Sequence, residues 1–229
     1  MLIIVDKRIS AKAIAGLEKL GEVLPFYSDN ITYPAICGHP DVFMCKMPNK
    51  LIVAPNAPKY LFDKLKQHNI CFKKGEKSVG KSYPDTAIYN AVVTKKYLIH
   101  NTNISDKTIL HDSSDKEIIN IKQGYTRCSL LPVGDESFIT SDKGIYKTLK
   151  PKVDILLVEP KEITLQDFNN GFFGGIAGIE SKTVFFSGDI NFLSDKEKII
   201  SFLTERGYKI ELLSDSIPAD VGGIFFLRH

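Results

Sequence analysis

The chain has 229 residues, 43% of them hydrophobic, which suffices for a core in one large domain or two small ones. A formal net charge of +3, with basic residues scattered and not gathered in a stripe, does not imply nucleic acid as a partner. No apolar run approaches the ~20 residues of a membrane span, and four cysteines without a Cys-x-x-Cys pair read as reduced thiols in a cytoplasmic protein.

In chain order, Leu2–Val5 reads as a strand and not a signal peptide, because charge follows the apolar run at once. Ser10 is placed to cap a helix over Ala11–Leu20, with Ile14, Leu17 and Leu20 at helical spacing and Gly21 ending it. Glu22–Phe26 is a strand. Cys37–Asn56 reads as two strands around the turn Met47-Pro48-Asn49-Lys50. A helix over Ala57–Gln67 and a strand over Ile70–Phe72 complete that unit.

The same order then recurs. Ile88–Val93, the turn Thr94-Lys95-Lys96, Tyr97–His100 and Glu117–Ile121 form a second unit with a degraded helix. Cys128–Val133, Ser137–Thr140, a helical stub at Gly144–Leu149 and Val153–Val158 form a third. Gly174–Ile179, Thr183–Ser187, a helix over Ser194–Glu205 and Tyr208–Leu213 form a fourth. The last segment, Gly222–Leu227, is a first strand without a second. The N-terminus offers a strand, a helix and a closing strand without a first.

Joined, these ends make a fifth unit, and a period of roughly 45 residues is in the propeller range. The expected fold is therefore an α/β five-bladed β/α propeller of ββαβ modules. The whole of 1–229 forms one domain, with modules at about 30–83, 84–123, 124–168, 169–215, and 216–229 plus 1–29. Sharing a module between the termini seals the ring without unpaired edges. Against this stands the plainer reading that any α/β protein shows strand–strand–helix runs.

Four signals carry chemistry. Gly75–Ser82, GEKSVGKS, satisfies the phosphate-loop pattern, but Pro84 follows where a helix would have to begin. A Walker-B-like run stands at Ile210–Asp215, a cheap pattern; a basic loop between modules is the alternative to nucleotide binding. His39 and Asp41, two apart on an expected strand, share a face and would put a carboxylate beside an imidazole. A turn aspartate with a buried histidine is the competing explanation.

Cys128 begins its strand where His39 begins its own, and Arg127 precedes it. The other cysteines suit the core. The glycine pairs Gly174-Gly175 and Gly222-Gly223 allow close backbone approach.

The sequences HPDVF at His39 and GYTRCSLLP at Cys128 resemble the catalytic histidine strand and nucleophile strand of the guanidino-group-modifying enzymes, or penteins. That superfamily comprises arginine deiminases, dimethylarginine dimethylaminohydrolases and amidinotransferases, with the non-catalytic translation initiation factor 6 as a relative. The resemblance implies a circularly permuted five-module propeller with one module between the histidine and cysteine modules. It implies attack by Cys128 on a guanidine or amidine carbon of a small molecule, with His39 as acid and base and Asp41 orienting it.

No cofactor and no metal are implied. The chain departs from the superfamily where acids are expected, at Gly174-Gly175 and at Ile224 after Gly222-Gly223. Asp29, Asp85 and Asp220 lie near strand entrances and are the candidates to replace them, with Arg127 beside the nucleophile as a further substrate contact. A non-catalytic pentein that binds a partner or ligand is the alternative function.

Overall fold

The computed structural model describes residues 1–228. Its strands fall into five three-stranded sheets, each with one antiparallel and one parallel pairing. The chain starts with β1 (Leu2–Asp6), α1 (Ala11–Glu18) and β2 (Glu22–Phe26). The next unit holds α2 (Pro40–Phe43), β3 (Met44–Lys46), β4 (Leu51–Val53), α3 (Lys59–Gln67) and β5 (Phe72–Lys74). Then come β6 (Val92–Val93), β7 (Tyr97–His100), α4 (Lys107–His111) and β8 (Glu117–Asn120). The following unit is α5 (Thr126–Ser129), β9 (Leu130–Pro132), β10 (Ser137–Thr140), α6 (Lys143–Leu149) and β11 (Asp154–Leu157). The chain closes with β12 (Ala177–Glu180), β13 (Thr183–Phe186), α7 (Lys196–Thr204), β14 (Lys209–Leu212) and β15 (Phe225–Leu227).

The two ends of the chain share a sheet. β1 pairs antiparallel with β15, Ile3 opposite Phe226, and parallel with β2. Hydrogen bonds between neighbouring units then run right round the ring. Asn90 Nδ2 donates to Asp41 O at 3.2 Å, and Arg127 N to Asn90 O at 3.0 Å. Arg127 Nη1 donates to Gly174 O at 2.7 Å, Ile224 N to Ala177 O at 3.3 Å, and Lys46 Nζ to Phe226 O at 2.7 Å. Each unit touches the next and the fifth touches the first: this is a closed five-bladed propeller.

Local chemistry sets the outer elements. Ser10 Oγ accepts from Ala13 N at 3.1 Å, and Asp142 Oδ1 from Ile145 N at 2.8 Å, so α1 and α6 have side-chain caps. α3 buries Leu61 and Leu65 while Tyr60 faces outward. α1 ends at Glu18, sooner than the spacing suggests, and Leu20 is exposed. Residues Gly144–Leu149, read as a stub, belong to a seven-residue helix.

The first strands are shorter than the sequence suggests, for one shared reason. Proline at the first helical position of α2 and the turn of α5 put His39, Asp41 and Cys128 ahead of their strands, not on them. A 3-10 turn over Phe173–Ile176 does the same before β12, and turns over Ala87–Ala91 delay β6 to Val92. No helix among the described residues is long and apolar enough to cross a membrane.

Candidate active site

Entrance turns determine what lies at the centre. His39 caps α2, and Asp41 sits in its first turn. Their proximity therefore comes from a helical turn and not from one face of a strand, which corrects the expected geometry. Cys128 lies in the turn of α5, and its Sγ is 2.8 Å from Asp41 Oδ2. The donor atoms of His39, Asp41 and Cys128 all lie within 4.8 Å of one another, and all three residues are buried. A divalent cation would also accept these three donor types.

Asn90, at the entrance of the intervening unit, holds Cys128 in place. Its Oδ1 accepts from Cys128 N at 3.1 Å, and its Nδ2 lies 3.3 Å from Cys128 Sγ.

Two further carboxylates face the imidazole. Asp6 Oδ2 is 3.9 Å from His39 Nε2, and Asp220 Oδ1 is 3.9 Å from His39 Nδ1. Both ring nitrogens, and Asp41 Oδ1, are buried without a protein hydrogen-bond partner. Unsatisfied polar atoms in such a place are costly unless a bound molecule completes them. Asp220 is itself held by Phe172 N at 2.9 Å and Gly222 N at 3.0 Å.

Asp6 is pinned by Arg8, whose Nε donates to Oδ1 at 2.9 Å and whose Nη2 reaches Oδ2 at 2.5 Å. The same guanidinium donates to Pro34 O at 2.8 Å, Ala35 O at 2.9 Å and Gln166 Oε1 at 3.4 Å. It thus ties two covering segments to an acid of the site. A cavity of about 180 Å³ lies here, lined by Asp6, Arg8, Gln166 and Asp220 among others.

Charge and dryness set the resting protonation. Burial pushes the Asp41 carboxyl up to about 6. Burial also pushes the Cys128 thiol well above its usual range, and the charges of Asp41 and Asp220 push it further. Burial raises Asp220 as well. The site therefore holds a thiol donating to a carboxylate. A cation entering it would lower all three.

The sequence matches, over residues 4–225, the family described as "Family of unknown function (DUF6873)". The chain belongs to that family. No curated protein matches it in sequence.

Among solved structures it is similar to SxtG, an amidinotransferase from Microseira wollei in the saxitoxin biosynthetic pathway. The TM-score is 0.54 at 13% identity, over 94% of this chain and 88% of that one. It is similar to DDAH from Pseudomonas aeruginosa, a cysteine-to-serine variant complexed with citrulline, with a TM-score of 0.55 at 8% identity. That match covers 92% of this chain and 91% of the other. It is also similar to C. jejuni agmatine deiminase, at 0.54 and 10%, over 93% and 75%. These likenesses show the fold, the pentein propeller of the guanidino-group-modifying enzymes.

Of the residues singled out in the sequence, the structure gathers His39, Asp41, Cys128 and Asp220. It leaves the others outside. Asp29 is exposed beside Asn30, which adopts φ 59° in the turn. Asp85 is half-exposed and pairs with Lys77 Nζ at 2.5 Å. Arg127 gives its side-chain hydrogen bonds to Gly174 O and Ala177 O, while its charge still acts on Asp41, Cys128 and Asp220.

Asp6, Arg8 and Asn90 were not foreseen. Asp6 carried a signal, the lone carboxylate closing an otherwise aliphatic strand. Asn90 carried one too, as the counterpart of His39 and Cys128 at its own strand's entrance.

The phosphate-loop pattern has another explanation. Asp106 Oδ2 accepts from Glu76 N at 3.0 Å and Lys77 N at 2.8 Å, so a carboxylate of the chain already fills the amide cradle. No helix starts at Lys81-Ser82.

Proposed function

We propose that this protein is a cysteine-dependent hydrolase acting on a guanidine- or amidine-type C–N bond of a small cationic molecule. One observation carries the reading: a buried thiol, imidazole and carboxylate lie within 4.8 Å, with the acids of Asp6 and Asp220 on either side of the imidazole. A planar cation placed here satisfies the unpartnered atoms of His39 and Asp41 and offsets the negative charge.

The steps follow from the distances. The incoming cation lowers the thiol, whose proton passes to Asp41 Oδ2, 2.8 Å away. Sγ then attacks the central carbon. His39 protonates the leaving amine as the C–N bond breaks, and Asp6 and Asp220 hold the imidazolium that supplies the proton. Water, deprotonated by His39, adds to the S-alkylated carbon. The S–C bond then breaks, releasing the hydrolysed product, and the thiolate takes back the proton held on Asp41.

2-Chloroacetamidine, cationic and planar, tests this. It should alkylate Cys128 ahead of the exposed Cys71 at neutral pH, whereas neutral iodoacetamide should prefer Cys71. His39→Ala should slow the amidine reaction. Labelling spread evenly over the four cysteines, or indifferent to His39, sinks the hydrolase and leaves a binding scaffold.

A further inference from the structure

The strands that leave the site end around a second cavity. It measures about 350 Å³ and takes lining residues from every unit of the ring, including Lys46, Val92, Leu131, Ile179 and Ile224. Its size suits a small molecule, and its walls are largely aliphatic. Its charged lining residues are Lys46, Lys95, Arg127 and Asp135. Asp135 is already engaged, since its Oδ1 accepts from Lys95 N at 3.1 Å.

Neither Lys46 nor Arg127 has a carboxylate in direct contact, although Glu180 acts on Lys46, and Asp41 and Asp220 on Arg127, from further away. Lys46 Nζ makes one hydrogen bond, to Phe226 O at 2.7 Å. Arg127 makes two from its side chain, to Gly174 O at 2.7 Å and Ala177 O at 3.1 Å. An ammonium carries three donors and a guanidinium five, so both keep unused N–H groups. Among the described residues, neither forms an ion pair. Burial pulls both pKa values down, against the opposing effect of Glu180 on Lys46 and of Asp41 and Asp220 on Arg127. Bridging neighbouring units needs only the carbonyl contacts; it does not require two positive charges in one cavity.

We propose that this cavity binds a small organic anion, a carboxylate or a phosphate monoester with an apolar body. Its head lies between Lys46 and Arg127, and its body packs against Val92, Leu131 and Ile224. The guanidine-like cation suited to Cys128 is repelled here, so the two ends of the propeller select opposite charges. This site does not depend on the reaction at Cys128.

Hexanoate, hexyl phosphate and hexan-1-ol, titrated calorimetrically into the full chain, form the test. At least one anion should bind saturably and the alcohol should not; the tighter anion identifies the head group. Lys46→Gln keeps a donor for Phe226 O and removes the charge, and should weaken binding roughly tenfold. Lys46→Arg should retain it, and thermal melts of both variants separate lost binding from lost fold. Hexanol binding as well as the anions, no anion binding, or an unchanged affinity in a folded Lys46→Gln protein would overturn the proposal.

Discussion

The carboxylate of Asp220 stands where a side chain on Gly175 would have to be: a Cβ built on that glycine overlaps Asp220 Oδ1. The glycine pair at this position, where related enzymes were expected to carry acids, makes room for an acid from the next unit. Gly175→Ala should therefore lower stability by about 1–3 kcal/mol. The same change beside Asp220→Ala should be nearly neutral. Denaturant unfolding of the double-mutant cycle measures this coupling, and additive effects would rule it out.

Asp41 makes stability depend on pH in an unusual direction. Its carboxyl is raised by burial from 3.8 to about 6, so in that window the folded chain holds a proton that the unfolded chain has lost. Stability falls as pH rises from below 4 to above 6, by about 3 kcal/mol from this group. Asp41→Asn should be the more stable protein at pH 8 and lose that advantage below pH 4. Melting temperatures of both proteins across the range test it, and a constant difference would contradict it.

Arg8 holds the cover of the site through a planar fork, which lysine cannot reproduce. Arg8→Lys should keep the charge beside Asp6 but release Pro34, Ala35 and Gln166. Amide exchange near residues 34–37 and 164–167 should quicken, and 2-chloroacetamidine should reach Cys128 several-fold faster. Unchanged exchange with unchanged labelling would mean the cover is held by other contacts.

Asp106 is the anchor of the loop at Gly75–Ser82. Besides the two loop amides, it accepts from Thr108 N at 2.8 Å and from Tyr89 Oη at 3.1 Å. Asp106→Ala should cost about 2–4 kcal/mol by stranding several donors. Lys81→Ala, at an exposed position, should stay within about 0.5 kcal/mol of the parent. ATP with magnesium should not raise the melting temperature of the parent protein, and an increase would restore a nucleotide reading.

The propeller was legible because its evidence is periodic. Apolar second strands such as Leu51–Val53 and Thr183–Phe186 recur along the chain, and the two incomplete ends complement one another. Half of the candidate cluster was legible too, since His39, Asp41, Cys128 and Asp220 sit at strand entrances and come together in the fold. What the string hid was three-dimensional. Asp6 lies at the far end of a second strand, and it reaches His39 only because the ring brings the fifth unit's β1 beside α2. Pro40 concealed a helical turn that looked like strand. Arg127 adjoins Cys128 in sequence, yet adjacent residues of a helical turn point in different directions. The phosphate-loop string matched a pattern whose cradle Asp106 occupies, a long-range contact that no local spacing encodes.

The pairing of β1 with β15 also bears on synthesis. A ribosome delivers Asp6 well before Asp220, yet His39 lies beside both in the folded chain. A nascent chain still short of β15 carries the thiol and the imidazole but lacks the sheet that brings the flanking acids together. The grouping of these four side chains is thereby deferred until the seam has been translated. Folding should show the same delay: the longest-range pairing in the molecule is the one that completes the site.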